Sequence, residues 1–359
     1  MKSITAAAAV GLLAAAAFVL FVPVWNKLPI TTEEVAFPNN IQFQPVAARY
    51  ASNTAPPALP AAAPGGPMAT ETYKNVKVLT DVSAAEFMRL QTAITAWVSP
   101  KQGCGFCHAG EDYASDAKPQ KAAARIMLQM TRHLNTDWQT HTAGAGMTCY
   151  TCHRGQPVPG QAWFPDAPKP ERQYVGYQDN WQESADTVRK FFPDNGFAEY
   201  FLDDQPINVV STTVEPSHTI GSWPEATRIY EMMMQLSDGI GVNCGFCHQS
   251  RAFQDWSQSS PYRWNAWYAI RMVRDLNRNF LLPVAAVLPQ SRTLEHETTI
   301  PAIPARMTGA QNGNGLVVCA TCHFGIPKPM NGANMVRDYP GLGPSHTAPA
   351  AALATTPPG

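Results

Sequence analysis

Four copies of Cys-x-x-Cys-His account for all eight cysteines of the chain: Cys104-Gly-Phe-Cys107-His108, Cys149-Tyr-Thr-Cys152-His153, Cys244-Gly-Phe-Cys247-His248 and Cys319-Ala-Thr-Cys322-His323. Such a run is an attachment site for c-type haem. Its two thiols bond to porphyrin vinyl groups, and the histidine that follows stands where its imidazole reaches the iron. One copy alone would suit a zinc knuckle or a redox dithiol equally well. Four copies with no cysteine left over do not, because zinc needs ligand sets that close a tetrahedron. The sequence predicts four covalent haems, numbered 1 to 4 in chain order, and a fold whose core porphyrin completes.

Composition agrees with that expectation. Of 359 residues, 32 are proline and only 15% are charged, which suits long irregular segments around apolar cofactors. The near balance of 26 basic and 27 acidic residues argues against a nucleic-acid partner. Near the N-terminus, Lys2 precedes an apolar run that lasts to about Trp25. Roughly 20 apolar residues suffice to cross a bilayer as a helix. The alanines offer signal-peptidase sites, but Phe18-Val-Leu-Phe21 continues the run where a polar cleavage region should stand. Residues 1–25 are therefore expected to be an uncleaved transmembrane anchor, with Lys2 inside and the rest exported to the periplasmic side.

After the anchor, residues 26–70 are Pro/Ala-rich and read as an extended tether. An internal duplication follows. Cys-Gly-Phe-Cys-His occurs in motifs 1 and 3, each followed by a helical stretch and then a second motif ending in His-x-Gly, at Gly155 or Gly325. Residues 71–156 and 222–345 are expected to be two dihaem halves related by a pseudo-twofold, joined by 157–221 and followed by a disordered tail, 346–359. Ser83-Ala-Ala-Glu86 and Ser222-Trp-Pro-Glu225 fit the capping box. Pro119 and Pro261 suit the first helical position of two further helices, running to about Leu134 and about Phe280. Strand signals are weak. The fold class expected is mainly α with extensive loops.

Each iron needs a second axial ligand if the chain only moves electrons, and thioether ligation gives higher potentials than a second histidine. One helix carries Met127 and Met130, and another carries Met232-Met233-Met234 shortly before Cys244. Spacing alone does not choose within either cluster. Five histidines lie outside the motifs: His133, His141, His218, His296 and His346.

The runs Glu86-Phe-Met-Arg-Leu-Gln-Thr-Ala-Ile-Thr-Ala-Trp-Val-Ser-Pro100, Ala124-Arg-Ile-Met-Leu-Gln-Met-Thr-Arg132, Thr148-Cys-Tyr-Thr-Cys-His-Arg-Gly155 and Asp338-Tyr-Pro-Gly341 resemble the tetrahaem cytochrome subunit of purple-bacterial photosynthetic reaction centres. The likeness covers about residues 70 to 345. It implies three His/Met haems and one bis-His haem, on a subunit capping the periplasmic face of the photochemical core. By matching positions Met127 would ligate haem 2, Met233 haem 3, and His141 would cross to haem 4. The family methionine for haem 1 falls at Gln91, and the nearest methionine is Met88. Three helical residues turn about 300°, so Met88 points about 60° away and lies about 4.5 Å along the axis. Either the helix slides to present Met88, or Gln91 coordinates weakly, or the site is five-coordinate. Softer sulfur favours Met88. Met272 reads as core. The family's acylated cysteine is missing, since no cysteine precedes Cys104.

The resemblance implies an electron-transfer subunit, not an enzyme, that re-reduces the photo-oxidised bacteriochlorophyll pair. Its expected partners are the reaction-centre L and M subunits with H, a soluble cytochrome c2 or high-potential iron-sulfur protein as donor, and the surrounding light-harvesting antenna. The location would be the bacterial inner photosynthetic membrane. The rival is a membrane-anchored tetrahaem quinol dehydrogenase, which relies mostly on distal histidines. Arg125, Arg132 and Arg271 are candidates for pairing with haem propionates or core subunits, and equally for ordinary packing roles.

Overall fold

The computed structural model describes residues 50–142, 145–162, 200–207, 223–288 and 315–344. The expected anchor at 1–25, the tether up to residue 49, most of 157–221, the capping residue Ser222, and His218, His296, His346 and the tail lie outside them. Among the described residues there are helices, tight turns and two isolated β-bridges, and no strand. No helix there is long and apolar enough to cross a membrane.

The longer helices are α2 (Ala84–Val98), α3 (Pro119–Asp137), α6 (Trp223–Ile240) and α7 (Pro261–Leu276); α1 is the single turn Ala69–Thr72, α4 Gln139–Thr142 and α5 Cys149–His153. Leu282–Val287 forms α8, Cys319–His323 α9 and Met335–Asp338 α10. Ser83 starts α2, its hydroxyl accepting from the Glu86 N–H at 3.2 Å. The second half of that capping box is replaced: the Glu86 carboxylate instead takes Arg89 at 3.1 Å, and Arg89 in turn donates to Leu59, Pro60 and Asp338 carbonyls. One stripe of α2 buries Leu90, Ala93 and Trp97. Full burial of a side chain such as Leu90 contributes about 2 kcal/mol. Helices α3 and α7 both open with proline at N1, where the missing N–H costs nothing. The expected fourth helix ends earlier than about Phe280. It gives way at Asn277–Leu281 to a π turn, and Pro283 then sits in the first turn of α8.

Two main clusters make the core. One joins α3, α6 and α7 through Met130, Leu134, Met232, Leu236, Val273 and Leu276. The other joins α1 and α2 to the chain's last described segment, through Leu79, Leu90, Trp97, Met330, Tyr339 and Leu342. Residues 330–342 thus return to pack on the N-terminal helices. The described end of the Pro/Ala-rich segment also lies on the chain's own body. Asn53 is buried and bonds Lys328 O, Met330 N and the Arg154 guanidinium, and Leu59 N donates to the Tyr339 hydroxyl.

Candidate functional site

The four motifs fold in two ways. In motifs 1 and 3 a 3-10 turn, Gly103–Phe106 or Cys244–Phe246, brings the histidine N–H back onto the first cysteine's carbonyl, at 3.0 Å for His108 and 2.9 Å for His248. In motifs 2 and 4 the five residues are a single α turn, α5 and α9. Each is stopped by a left-handed residue, Arg154 (φ 51°) or Phe324 (φ 53°), and then by a positive-φ glycine, Gly155 or Gly325. The Thr151 and Thr321 hydroxyls accept from the backbone N–H before each motif, at 3.1 and 3.0 Å.

The histidines share one property in all four places: Nδ1 lies on a backbone carbonyl. The partners are Tyr113 O at 3.1 Å for His108, Gln156 O at 2.8 Å for His153, Phe253 O at 2.9 Å for His248 and Ile326 O at 2.9 Å for His323. A carbonyl only accepts, so Nδ1 carries the proton and Nε2 keeps its lone pair for a metal. Burial lowers the pKa of each imidazole and holds it neutral, taking His323 down to about 4 with help from nearby His141. At His108 the cations Lys121, Arg125 and Lys118 add to the effect of burial.

None of the eight cysteines is in a disulfide, which leaves every sulfur available for a thioether bond. Burial pushes Cys149 and Cys319 up to about 12, so no thiolate is stranded in apolar surroundings. Motifs 2 and 4 lie side by side, with Cys152 Sγ 3.0 Å from Cys322 Sγ and the Arg154 guanidinium 4.2 Å from the Phe324 ring centroid. A mainly apolar cavity of about 750 Å³ is lined by Cys104, Cys107 and His108 together with Cys149, Cys152 and His153. It runs from motif 1 to motif 2. Among the described residues no three His, Cys, Asp or Glu side chains converge as a cage for a bare metal ion requires. Protonated thiols, neutral imidazoles and an apolar cavity fit haem instead.

The candidate distal ligands separate by burial and position. Met127 lines the cavity, and its carbonyl accepts from the Thr131 hydroxyl at 2.9 Å. Met232 is fully buried in the core, whereas Met233 lies at that core's margin. Met272 is core, as expected. Met88 and Gln91 share the cavity wall on α2, with Met88 50% exposed. His141, on α4, crosses to the other motif pair: its ring centroid is 6.1 Å from that of His323. Two imidazoles sharing one metal at about 2 Å each require about that separation. Its Nδ1 is held 2.9 Å from Asn265 Oδ1 on α7.

Three groups of positioning residues escape a reading of the motifs. Asn265 is one. Asn135 and Asn277 are the second. Each brackets the residue two before a motif, Met147 or Val317, donating to its carbonyl and accepting from its N–H. The third is Arg154. A signal for the asparagines exists in the repeated Arg132-His-Leu-Asn135 and Arg274-Asp-Leu-Asn277.

Residues 33–343 match the profile of the family described as photosynthetic reaction centre cytochrome C subunit. The photosynthetic reaction center cytochrome c subunit of Rubrivivax gelatinosus is 40% identical over 313 residues, covering 86% of this chain and 80% of that one. The subunit of the same name from Thermochromatium tepidum is 40% identical over 291 residues, with 79% and 67% covered. Cytochrome c-554 of Chloroflexus aurantiacus is 26% identical over 313 residues, with 72% and 70% covered.

Proposed function

The chain belongs to the photosynthetic reaction-centre cytochrome c subunit family, and from that premise we propose how its own residues serve electron transfer. Its role is that of a membrane-associated electron carrier with covalently bound haem c, working with the reaction-centre core. The finer reading is of four haems in two dihaem halves. They re-reduce the bacteriochlorophyll pair held by the L and M subunits, with H in the complex and the antenna around it. A soluble cytochrome c2 or high-potential iron-sulfur protein is the donor. Residues 1–25 are the single-pass anchor and keep the haem-bearing part on the periplasmic side.

The observation that carries this reading is the set of four histidines whose Nδ1 is tied to a carbonyl while Nε2 stays open. When bound, haem supplies the one-electron iron couple that the side chains lack. The cysteine pairs tether it, and His108, His153, His248 and His323 face the iron. Met127 would complete the iron's ligands at haem 2, Met233 at haem 3 and His141 at haem 4. Haem 1 takes Met88, with Gln91 the competing position. Support for two halves comes from matched positions that touch each other: Cys152 with Cys322, Arg154 with Phe324, and His133 with Asp275. Contacts between equivalent residues are what a rotation axis produces. No observation in the site favours a quinol dehydrogenase.

Flash-induced absorbance of isolated membranes tests the role. Recovery of the bleached bacteriochlorophyll pair in step with oxidation of a bound haem, without added soluble donor, is the expected result. Haems that ignore light and are reduced by quinol would overturn it.

A further inference from the structure

Next to motif 1 the chain gathers more positive charge than a helix start ordinarily carries. Lys118 is the N-cap of α3, Lys121 lies in its first turn and Arg125 one turn on, and that first turn holds no acidic residue. The helix dipole already makes this end positive, so cations here repel it while anions are favoured. Lys121 is nonetheless buried, 9% exposed. Its ammonium donates to Tyr113 O and Ser115 O, both at 2.8 Å, and Tyr113 O is the same carbonyl that orients His108. Lys77, Lys121 and Arg125 meet on one carboxylate, Asp116, at 3.3, 3.3 and 2.9 Å, and the Asn75 amide joins them at 2.9 Å. Asn75, Lys77, Lys121 and Arg125 all line the cavity that contains Cys104, Cys107 and His108.

The corresponding place on α7 is built differently. Counting from the proline at each N1, Arg263 matches Lys121 and Trp267 matches Arg125. Arg263 is committed to its own loop, lying 4.0 Å over the Trp256 ring and donating to Ser259 Oγ at 2.7 Å. Loop stapling thus needs one cation. A carboxylate ringed by three cations beside an apolar cavity asks for further carboxylates, which a porphyrin carries as its two propionates.

Resting on the reading of motif 1 as a haem site, we propose that Arg125 holds the propionates of the haem at Cys104 and Cys107, while Lys121, whose three donors are taken by Tyr113 O, Ser115 O and Asp116, adds positive charge through space and Asp116 offsets part of it. Arg125 is the positioning residue, and both cations set potential. A cation against the propionates favours the reduced haem, and an anion behind that cation disfavours it.

The test is a redox titration of the haem α-band in membranes holding the full complex, with the haem 1 component identified as the one missing from a Cys104→Ser/Cys107→Ser variant. Arg125→Gln and Lys121→Met should each lower that component's midpoint, and Arg125→Gln should also shift its propionate bending band in resonance Raman spectra. Asp116→Asn should raise the same midpoint. A purely structural staple would lower it in all three, and that outcome overturns the inference. So does an unmoved component, or a propionate band unchanged in Arg125→Gln. Should Arg125→Gln or Lys121→Met prevent accumulation of the subunit, Asp116→Asn alone still decides by the direction of its shift. If the double cysteine variant loses no component, the haem reading of motif 1 falls and the inference falls with it. A component that is present but indifferent to charge overturns the inference alone.

Discussion

His133 Nε2 and Asp275 Oδ2 lie 2.5 Å apart, and the two residues hold the same place in the repeated runs Arg132-His-Leu-Asn135 and Arg274-Asp-Leu-Asn277. Identical residues there would set two like groups against each other. Divergence to histidine and aspartate makes a pair that ties α3 to α7. Asp137 closes on His133 Nδ1 at 2.5 Å, and Trp138 Nε1 donates to Asp275 at 2.8 Å. The bond to Asp275 raises the His133 pKa above 6.5 against the opposing effect of burial. Burial pushes Asp275 up, but the bonds from His133, Trp138 and Asn279 outweigh it and leave its pKa lowered.

A raised histidine contributes stability that is complete below its unfolded pKa and lost as pH climbs through the folded value. The chain should therefore be less stable at about pH 9 than at about pH 6, with the difference reduced by solvent screening of this partly exposed pair. Urea unfolding of the solubilised complex at both pH values measures it. His133→Gln should flatten the difference; a variant that keeps the full wild-type slope would show that the tie is inert.

Asn135 and Asn277 are 5% and 0% exposed, and each satisfies three backbone groups that water does not reach. Asn135 serves Met147 N–H, Met147 O and Leu342 O; Asn277 serves Val317 N–H, Val317 O and Phe201 O. Alanine at either site should cost about 2–4 kcal/mol. Aspartate should cost at least as much, since it sets a carboxylate against two carbonyls. Denaturant midpoints of the four variants give the order.

Gly241 has φ +74°, and a Cβ built there would lie 1.9 Å from Gly325 O, which is backbone and has little room to yield. Gly103, at φ +61°, faces open space. Gly103→Ala should then cost only the left-handed strain, about 1–2 kcal/mol. Gly241→Ala should cost more than about 3 kcal/mol, because backbone must move as well. Thermal midpoints that fall equally in both variants would contradict the crowding of Gly241 against motif 4.

Exchange of His141 for methionine would turn a proposed bis-histidine pair with His323 into a His/Met pair. The midpoint of the haem at Cys319 and Cys322 should rise, by a share of the ~0.8 V that axial ligands span. Redox titration of the haem band reads the shift. No movement would remove His141 from the ligand set.

Much of this organisation is legible in residue order because it rests on local chemistry. Prolines 119 and 261 mark helix starts, and Ser83 caps where expected. The two shapes of one five-residue motif go with the residue before the second cysteine: Thr151 and Thr321 cap an α turn, while motifs 1 and 3, with phenylalanine in that place, close as 3-10 turns. What stays hidden depends on distant partners. Glu86 leaves its capping role for Arg89, and α7 widens into a π turn at Asn277, whose side chain reaches Val317 and Phe201. Arg89 is itself fixed by the distant Leu59, Pro60 and Asp338 carbonyls, and Val317 and Phe201 lie 40 and 76 residues from Asn277. The proposed choice of Met233 over Met232 comes from matching positions, and the structure adds only that Met232 faces the core while Met233 lies at its margin.

Cys152 and Cys322 stand 170 residues apart along the chain and 3.0 Å apart in space. Each is proposed to bond covalently to a different porphyrin. The two attachment points would then be neighbours in space although their motifs are far apart in the chain. Transfer between the two motifs would cross a short distance through space instead of following the polypeptide. In electronic terms the molecule is far shorter than its sequence.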